Sequence, residues 1–125
     1  MSDESQVGKV GWIDITVDDA EGVRDFYQAV VGWDCEETSM GEYSDYTMKM
    51  PSNGEAIAGV CHSRGSNTDL PSGWLVYFIV ADVDASASKC KEKGGNLIVE
   101  PRELAGGRFC VVEDPSGATA ALYQP

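Results

Sequence analysis

Few residues in this sequence combine type and spacing in a way that could do chemistry. Asp14 stands two residues beyond Trp12 in the run WIDITV. Residues two apart on a strand share a face, so Asp14 and Trp12 look the same way. A carboxylate beside aromatic surface suits two tasks. It can hold a cationic ligand or, with its pKa raised by burial, take a proton. The competing roles are a solvated rim position or a pair with an arginine. Tyr46, Tyr77 and Tyr123 add hydroxyls on aromatic bodies. Aromatic walls with a few polar groups are the usual lining of a small-molecule site. The competing role for each tyrosine is a core position whose hydroxyl reaches water.

The single histidine, His62, directly follows Cys61. Neighbours on a strand point to opposite faces, so this adjacency makes no nucleophile–base pair. His62 therefore reads as a strand-end or loop residue. Cys35, Cys61, Cys90 and Cys110 show neither a C-x-x-C pair nor the Cys/His spacing of a structural zinc site. With no secretion signal at the start, they are expected as free and mostly buried thiols in a reducing cytoplasm. Arg64, Arg102 and Arg108 are candidates for holding an anion. A phosphate-binding loop, a dinucleotide fingerprint and a nucleophile elbow are all missing from the sequence.

These residues need elements to position them. Val10–Val17 alternates Trp12, Asp14 and Thr16 with Ile13, Ile15 and Val17, which predicts a strand with one aliphatic face. Asp18 and Asp19 follow as candidate N-caps. Val23, Phe26, Tyr27, Val30 and Val31 recur at helical spacing, and Gly32 stops the run. The aliphatic strand face is expected to pack on that helix. Strands are expected over 34–40, 43–50 and 55–61, with a turn at Pro51–Gly54. Residues 63–73, SRGSNTDLPSG, read as a linker. Further strands are expected over 74–80, 96–100, 108–112 and 118–123. Between them lie a helix over about 84–93, a loop over 101–107 and a turn at Asp114–Gly117.

The second half repeats the first. Subtracting 63 takes Val80 to Val17, Asp82 to Asp19, Gly95 to Gly32, Phe109 to Tyr46, Gly117 to Gly54 and Ala121 to Ala58. Each copy reads β-α-β-β-β. A single copy buries one face of its sheet under its helix and leaves the other bare, whereas two together can close a cavity. The expected fold is thus α+β: two βαβββ modules in one chain, with curved mixed sheets around a cavity and helices outside. Module 1 runs over about 9–62 and module 2 over about 74–125, in one domain of residues 9–125. Residues 1–8, acidic and polar, read as a flexible tail.

The order VDD…FY…GW in the first half, with VADVD…GG…VVEDPSG…ALYQP in the second, resembles the vicinal oxygen chelate superfamily. That group includes glyoxalase I, bleomycin-resistance proteins, fosfomycin-resistance enzymes and extradiol dioxygenases. The resemblance covers about residues 8–125. In metal-using members it implies one ligand in the first strand and one in the last strand of each half. Carried over, those positions are Trp12 and Leu75 in the first strands, and Ala58 and Ala121 in the last. Neither these side chains nor their immediate neighbours (Gly11, Ile13, Trp74, Val76, Ile57, Gly59, Ala120 and Leu122) can bind a divalent metal.

No metal and no cofactor are therefore expected. The pocket candidates are Trp12, Asp14, Tyr46, Ala58, Leu75, Tyr77, Ala121 and Tyr123. The formal charge of −12 over 125 residues argues against nucleic acid and anionic membrane surfaces as partners. The expected function is metal-independent binding of a small aromatic or cationic molecule by a cytoplasmic homodimer. The alternatives are a lyase, isomerase or dioxygenase-type enzyme, and an interaction module with a filled cavity.

Overall fold

The structure is a computed structural model and describes residues 6–125. Among the described residues eight strands and two α-helices follow in order: β1 (Val10–Val17), α1 (Ala20–Val31), β2 (Asp34–Ser39), β3 (Ser44–Lys49), β4 (Ala56–His62), β5 (Trp74–Ile79), α2 (Val83–Glu92), β6 (Asn96–Leu104), β7 (Gly107–Glu113) and β8 (Thr119–Gln124), with one short 3-10 helix, Gly65–Asn67, between β4 and β5. This is the βαβββ order twice over, and the fold is α+β. Among the described residues no helix is long and apolar enough to cross a membrane. The chain forms two compact units. One is Ile13–Trp74; the other joins the chain up to Trp12 with Leu75–Pro125. Of the tail expected over residues 1–8, residues 1–5 lie outside the described residues. Gly8 donates its N–H to the Ile79 carbonyl at 2.8 Å, and Ile79 donates to the Lys9 carbonyl at 2.9 Å.

In the Ile13–Trp74 unit the strand order is β2-β3-β4-β1. β1 and β4 run parallel and the other pairs antiparallel. α1 starts where the Asp19 carboxylate accepts the Gly22 N–H at 3.0 Å. It ends at Gly32, whose φ of 90° is open to glycine and costly for other residues. The core beneath it gathers Ile15, Ala20, Tyr46, Met48, Ala58 and Val60. The stripe on α1 is only partly used. Ala20 is buried, but Phe26, Val30 and Val31 are 55%, 64% and 52% exposed. Helical spacing reports which residues share a face, not whether anything covers it.

The second unit repeats this plan in the order β5-β8-β7-β6, with β5 and β8 parallel. Asp82 caps α2 by accepting the Ala85 N–H at 3.1 Å. Val83, Ala87 and Cys110 form the core under the helix. Residues 101–104, read from sequence as loop, extend β6 instead, and the turn shrinks to Ala105–Gly106. Pro101 is accommodated because the β6–β7 register shifts between Val99 and Arg102, where a ladder donor is not required.

The single offset of 63 does not survive in the later strands. α2 is two residues shorter than α1, and Gly94, not Gly95, takes the positive φ that Gly32 has. Gly59 is paired with Asp14 on β1, and Ala121 with Tyr77 on β5, so Gly59 rather than Ala58 is the counterpart of Ala121. A slip of one residue turns a strand position to the other face.

Candidate functional site

Each unit has a sheet face turned away from its own helix. In the Ile13–Trp74 unit, pairing and alternation put Asp14, Thr16, Thr47, Gly59 and Cys61 on that face. Asp45 joins them by alternation with Thr47. The face is polar: Thr16 is 6% exposed and Asp45 9% exposed, while Asp14, Thr47 and Cys61 are half-buried. Two of the sequence candidates are elsewhere. Tyr46 and Ala58 lie in the core under α1, where the Arg24 guanidinium sits 4.6 Å from the centre of the Tyr46 ring.

Cys61 is the best-defined group on this face. Burial pushes its thiol up to about 12, with the charges of Asp14 and then Asp45 adding to the effect. Cys61 is thus a neutral thiol at physiological pH and not a nucleophile. Asp45 accepts the backbone N–H of His62 at 2.8 Å. The His62 ring reaches the same carboxylate, its Nδ1 lying 3.6 Å from Asp45 Oδ1 and 2.8 Å from the Ser44 carbonyl oxygen. A carbonyl only accepts, so the proton is assigned to Nδ1 and Nε2 is the basic nitrogen of the neutral ring.

In the other unit the helix-free face is apolar. Tyr77 pairs with Ala121 and Ile79 with Tyr123, while Val111 and Phe109 continue the row on β7. Leu75 joins by alternation. Tyr77 and Phe109 stack with centroids 6.4 Å apart and planes 25° from parallel. Leu75, Tyr77, Phe109 and Ala121 are 5% exposed or less. The Arg102 guanidinium lies 5.3 Å from the centre of the Phe109 ring. Tyr123 is half-buried, and its hydroxyl donates to the Ala105 carbonyl at 3.0 Å, tying it to the β6–β7 turn. Trp12 is half-buried and ends this unit's share of β1. Arg108 is held by two hydrogen bonds to Asp84, at 2.8 and 3.1 Å, and is not a free anion anchor.

Thr16, Asp45, Cys61 and Phe109 were not named from sequence as pocket residues. Thr16 was legible by alternation with Asp14. The others depend on register between strands, which a single strand does not encode.

The positions to which the resemblance carries metal ligands are Trp12 and Gly59, the latter corrected from Ala58, with Leu75 and Ala121. An indole, a hydrogen, an isobutyl and a methyl group offer no imidazole, carboxylate or thiolate donor, so these positions do not fit a divalent metal. Among the described residues no three His, Cys, Asp or Glu side chains cluster as a metal site.

A fold of two βαβββ units with these helix-free faces defines the class, and the family model agrees. Residues 9–122 match the Glyoxalase/Bleomycin resistance protein/Dioxygenase superfamily, and the chain belongs to that superfamily. It is 33% identical over 122 residues to CFP32 of Mycobacterium tuberculosis (strain CDC 1551 / Oshkosh), provisionally named a glyoxylase; 97% of this chain and 46% of that protein are covered. It is 31% identical over 130 residues to the anthracycline biosynthesis protein DauV of Streptomyces sp. (strain C5), covering 94% of this chain and 47% of the relative. The chain thus spans about half the length of these relatives. In fold it is similar to Streptomyces coelicolor methylmalonyl-CoA epimerase, with a TM-score of 0.59, 24% identity, and 94% and 97% of the two chains covered.

Proposed function

We propose that this chain binds a small aromatic cation without a metal and works as a cytoplasmic homodimer. One observation carries the reading: Trp12, Gly59, Leu75 and Ala121 stand where metal-using relatives would need donors. Two further features support it. Asp14 lends negative charge to a polar sheet face, and the other unit's helix-free face is aromatic and aliphatic. The name of DauV, an anthracycline biosynthesis protein, is consistent with an aromatic ligand. Of the eight sequence candidates, Asp14 stays in the proposal on the polar face of its unit, and Trp12, Leu75, Tyr77, Ala121 and Tyr123 stay as candidates within the other unit, each considered by itself. Tyr46 and Ala58 leave it because they face α1.

In this reading the Asp14 carboxylate binds the ligand's positive charge. The Cys61 thiol stays protonated and supplies no covalent chemistry. An enzyme of the same superfamily would use Asp14 as its base on the same face. The low exposure of Tyr77, Phe109 and Ala121 favours a third reading, a packed interior with no ligand.

Thermal denaturation separates these readings. The probes are ethidium, its uncharged parent phenanthridine, an anionic naphthalene sulfonate, and Zn²⁺, Ni²⁺, Mn²⁺ or Fe²⁺ alone. A ligand at 100 times its Kd adds about 2.7 kcal/mol, or roughly 10 °C in Tm for a chain of this size. Ethidium is expected to raise Tm more than the other two aromatics, and Asp14→Asn to remove the difference. A larger shift from a metal alone overturns the reading. A flat response to every probe supports the packed interior.

A further inference from the structure

The turn between β3 and β4 carries a reactive pair that the ligand site does not use. Asn53 is followed by Gly54, whereas Asn67 is followed by Thr68 and Asn96 by Leu97. Asn53, Gly54 and Glu55 are all exposed. Gly54 holds a φ of 73°, and a Cβ built on it would meet nothing within 4 Å, so no neighbour crowds this residue. The Asn53 side chain folds back on the main chain, where its Oδ1 accepts the Glu55 N–H at 2.9 Å. A backbone N–H can meet only the oxygen of an amide, so the positions of Oδ1 and Nδ2 are fixed. The ring closed by that bond contains the Gly54 nitrogen and keeps it beside Cγ of Asn53. Gly54 in turn donates its N–H to the Met50 carbonyl at 2.8 Å. Asn96 is arranged differently: it lies on β6, and its Nδ2 donates to Glu113 Oε1 at 3.0 Å. Extended backbone turns a side chain away from the nitrogen that follows it. Asn67 ends a short helical turn and precedes a β-branched residue, which shields its nitrogen.

We propose that Asn53 is a site of spontaneous covalent modification, its amide closing to a succinimide that water opens to isoaspartate or aspartate. The Gly54 nitrogen gives up its proton to solvent base and attacks Cγ of Asn53. A C–N bond forms, and the carbonyl electron pair moves onto Oδ1. When that pair returns, the Cγ–Nδ2 bond breaks and Nδ2 leaves with a proton from water as ammonia. Water then adds to the ring: cleavage at the Asn53 main-chain carbonyl leaves isoaspartate, and cleavage at Cγ leaves aspartate. One water is consumed, one ammonia is released, and nothing is oxidised or reduced. Two hydrogen bonds act on this step in opposite senses. The Met50 carbonyl holds the proton that Gly54 must lose, and a bond of that kind slows the attack by at most about tenfold. The Glu55 N–H points at the oxygen on which charge develops, and one such donor is worth about 100-fold or more in a dry enzyme site. On an exposed turn the smaller remainder of that effect offsets the Met50 bond. The isoaspartate product inserts one carbon into the main chain between residues 53 and 54. That lengthens the turn that sets the register of β3 against β4, including the pairs Thr47–Gly59 and Met48–Ala58.

Incubation of the full chain at 37 °C and pH 7.5, sampled over weeks by peptide mapping with mass spectrometry, tests this. A synthetic peptide of residues 49–59 is the comparator. Asn53 is expected to convert at least about tenfold faster than Asn67 or Asn96, and no slower than the peptide. The rate should climb with pH, because the attacking nitrogen must first lose its proton. Electron-transfer fragmentation separates isoaspartate from aspartate, and both should form. The aged chain should melt at a lower temperature than the fresh one. Asn53→Gln, whose longer side chain would have to close a larger ring, should keep its amide and its melting temperature on the same schedule. Circular dichroism checks that this variant is folded, and the rates on the unmodified chain do not depend on it. A rate at Asn53 below about a tenth of the peptide's, or faster conversion at Asn67 or Asn96, overturns the proposal. Aspartate formed without isoaspartate overturns the succinimide route.

Discussion

Alkylation of Cys61 by iodoacetamide probes the electrostatics of the face that carries Asp14. The reagent reacts with the thiolate, so the rate follows the ionised fraction. The Cys61 thiol is raised from 9.0 to about 12. Three units correspond to about a thousandfold less thiolate at any pH below 9. At pH 8 Cys61 should label at least about a thousandfold more slowly than a cysteine in a short peptide. Its rate should climb about tenfold per pH unit, without a plateau until near 12. Asp14→Asn removes the second-largest cause while leaving burial, the largest, in place. The variant should label faster than the parent but still below the peptide. Peptide mass spectrometry reads each site, and circular dichroism at each pH marks where the fold gives way. A rate for Cys61 within tenfold of the peptide, or a plateau near pH 9, would refute the assignment of burial and the two carboxylates as the causes.

The same shifts set an alkaline limit on stability. Both Cys61 and Cys110, the latter raised to about 11 mainly by burial, stay neutral in the fold when the unfolded chain has already ionised. Their contribution is intact below pH 9 and is lost as pH rises to about 11 for Cys110 and 12 for Cys61. The slope is up to about 1.4 kcal/mol per pH unit for each, and urea titrations of Cys61→Ser should show it reduced. Asp19→Ala and Asp82→Ala each delete a helix cap and should cost about 1 kcal/mol in the same titration. Ala105 holds a φ of 50° in the β6–β7 turn, so Ala105→Gly should raise stability by about 0.5–1 kcal/mol, read as a higher Tm. Gly107→Ala should do the reverse, because a Cβ there would run into the Gln124 carbonyl and the Tyr123 hydroxyl; a variant as stable as the parent would refute that packing.

What the sequence made legible was local. Asp19, Gly32, Asp82 and the Asp114–Gly117 turn announce themselves by residue type, because caps and turns have few chemical solutions. β1 was legible because its two faces differ in polarity. The pocket residues were less so. Asp14 and Tyr77 kept the offset of 63, since each stands the same distance before its helix cap, Asp19 or Asp82. Beyond the helices the lengths differ, and Tyr46 and Ala58 turned to the helix side while Phe109 and Ala121 turned away from it. Pro101 hid the extension of β6, because a proline reads as a break unless the irregular register around it is known. The exposed side of α1 was invisible for a different reason: apolar spacing is the same whether the cover is a sheet, a partner or water.

The boundary between Trp12 and Ile13 has a consequence for how the chain is made. Gly8 and Lys9 are made about 70 residues before their partner Ile79. At about 5–20 residues per second they wait roughly 4–14 s for it. Ile13–Trp74 is complete by then, so one unit is finished during the wait. The other cannot close until the segments on both sides of that unit are present, which makes synthesis order part of this protein's assembly.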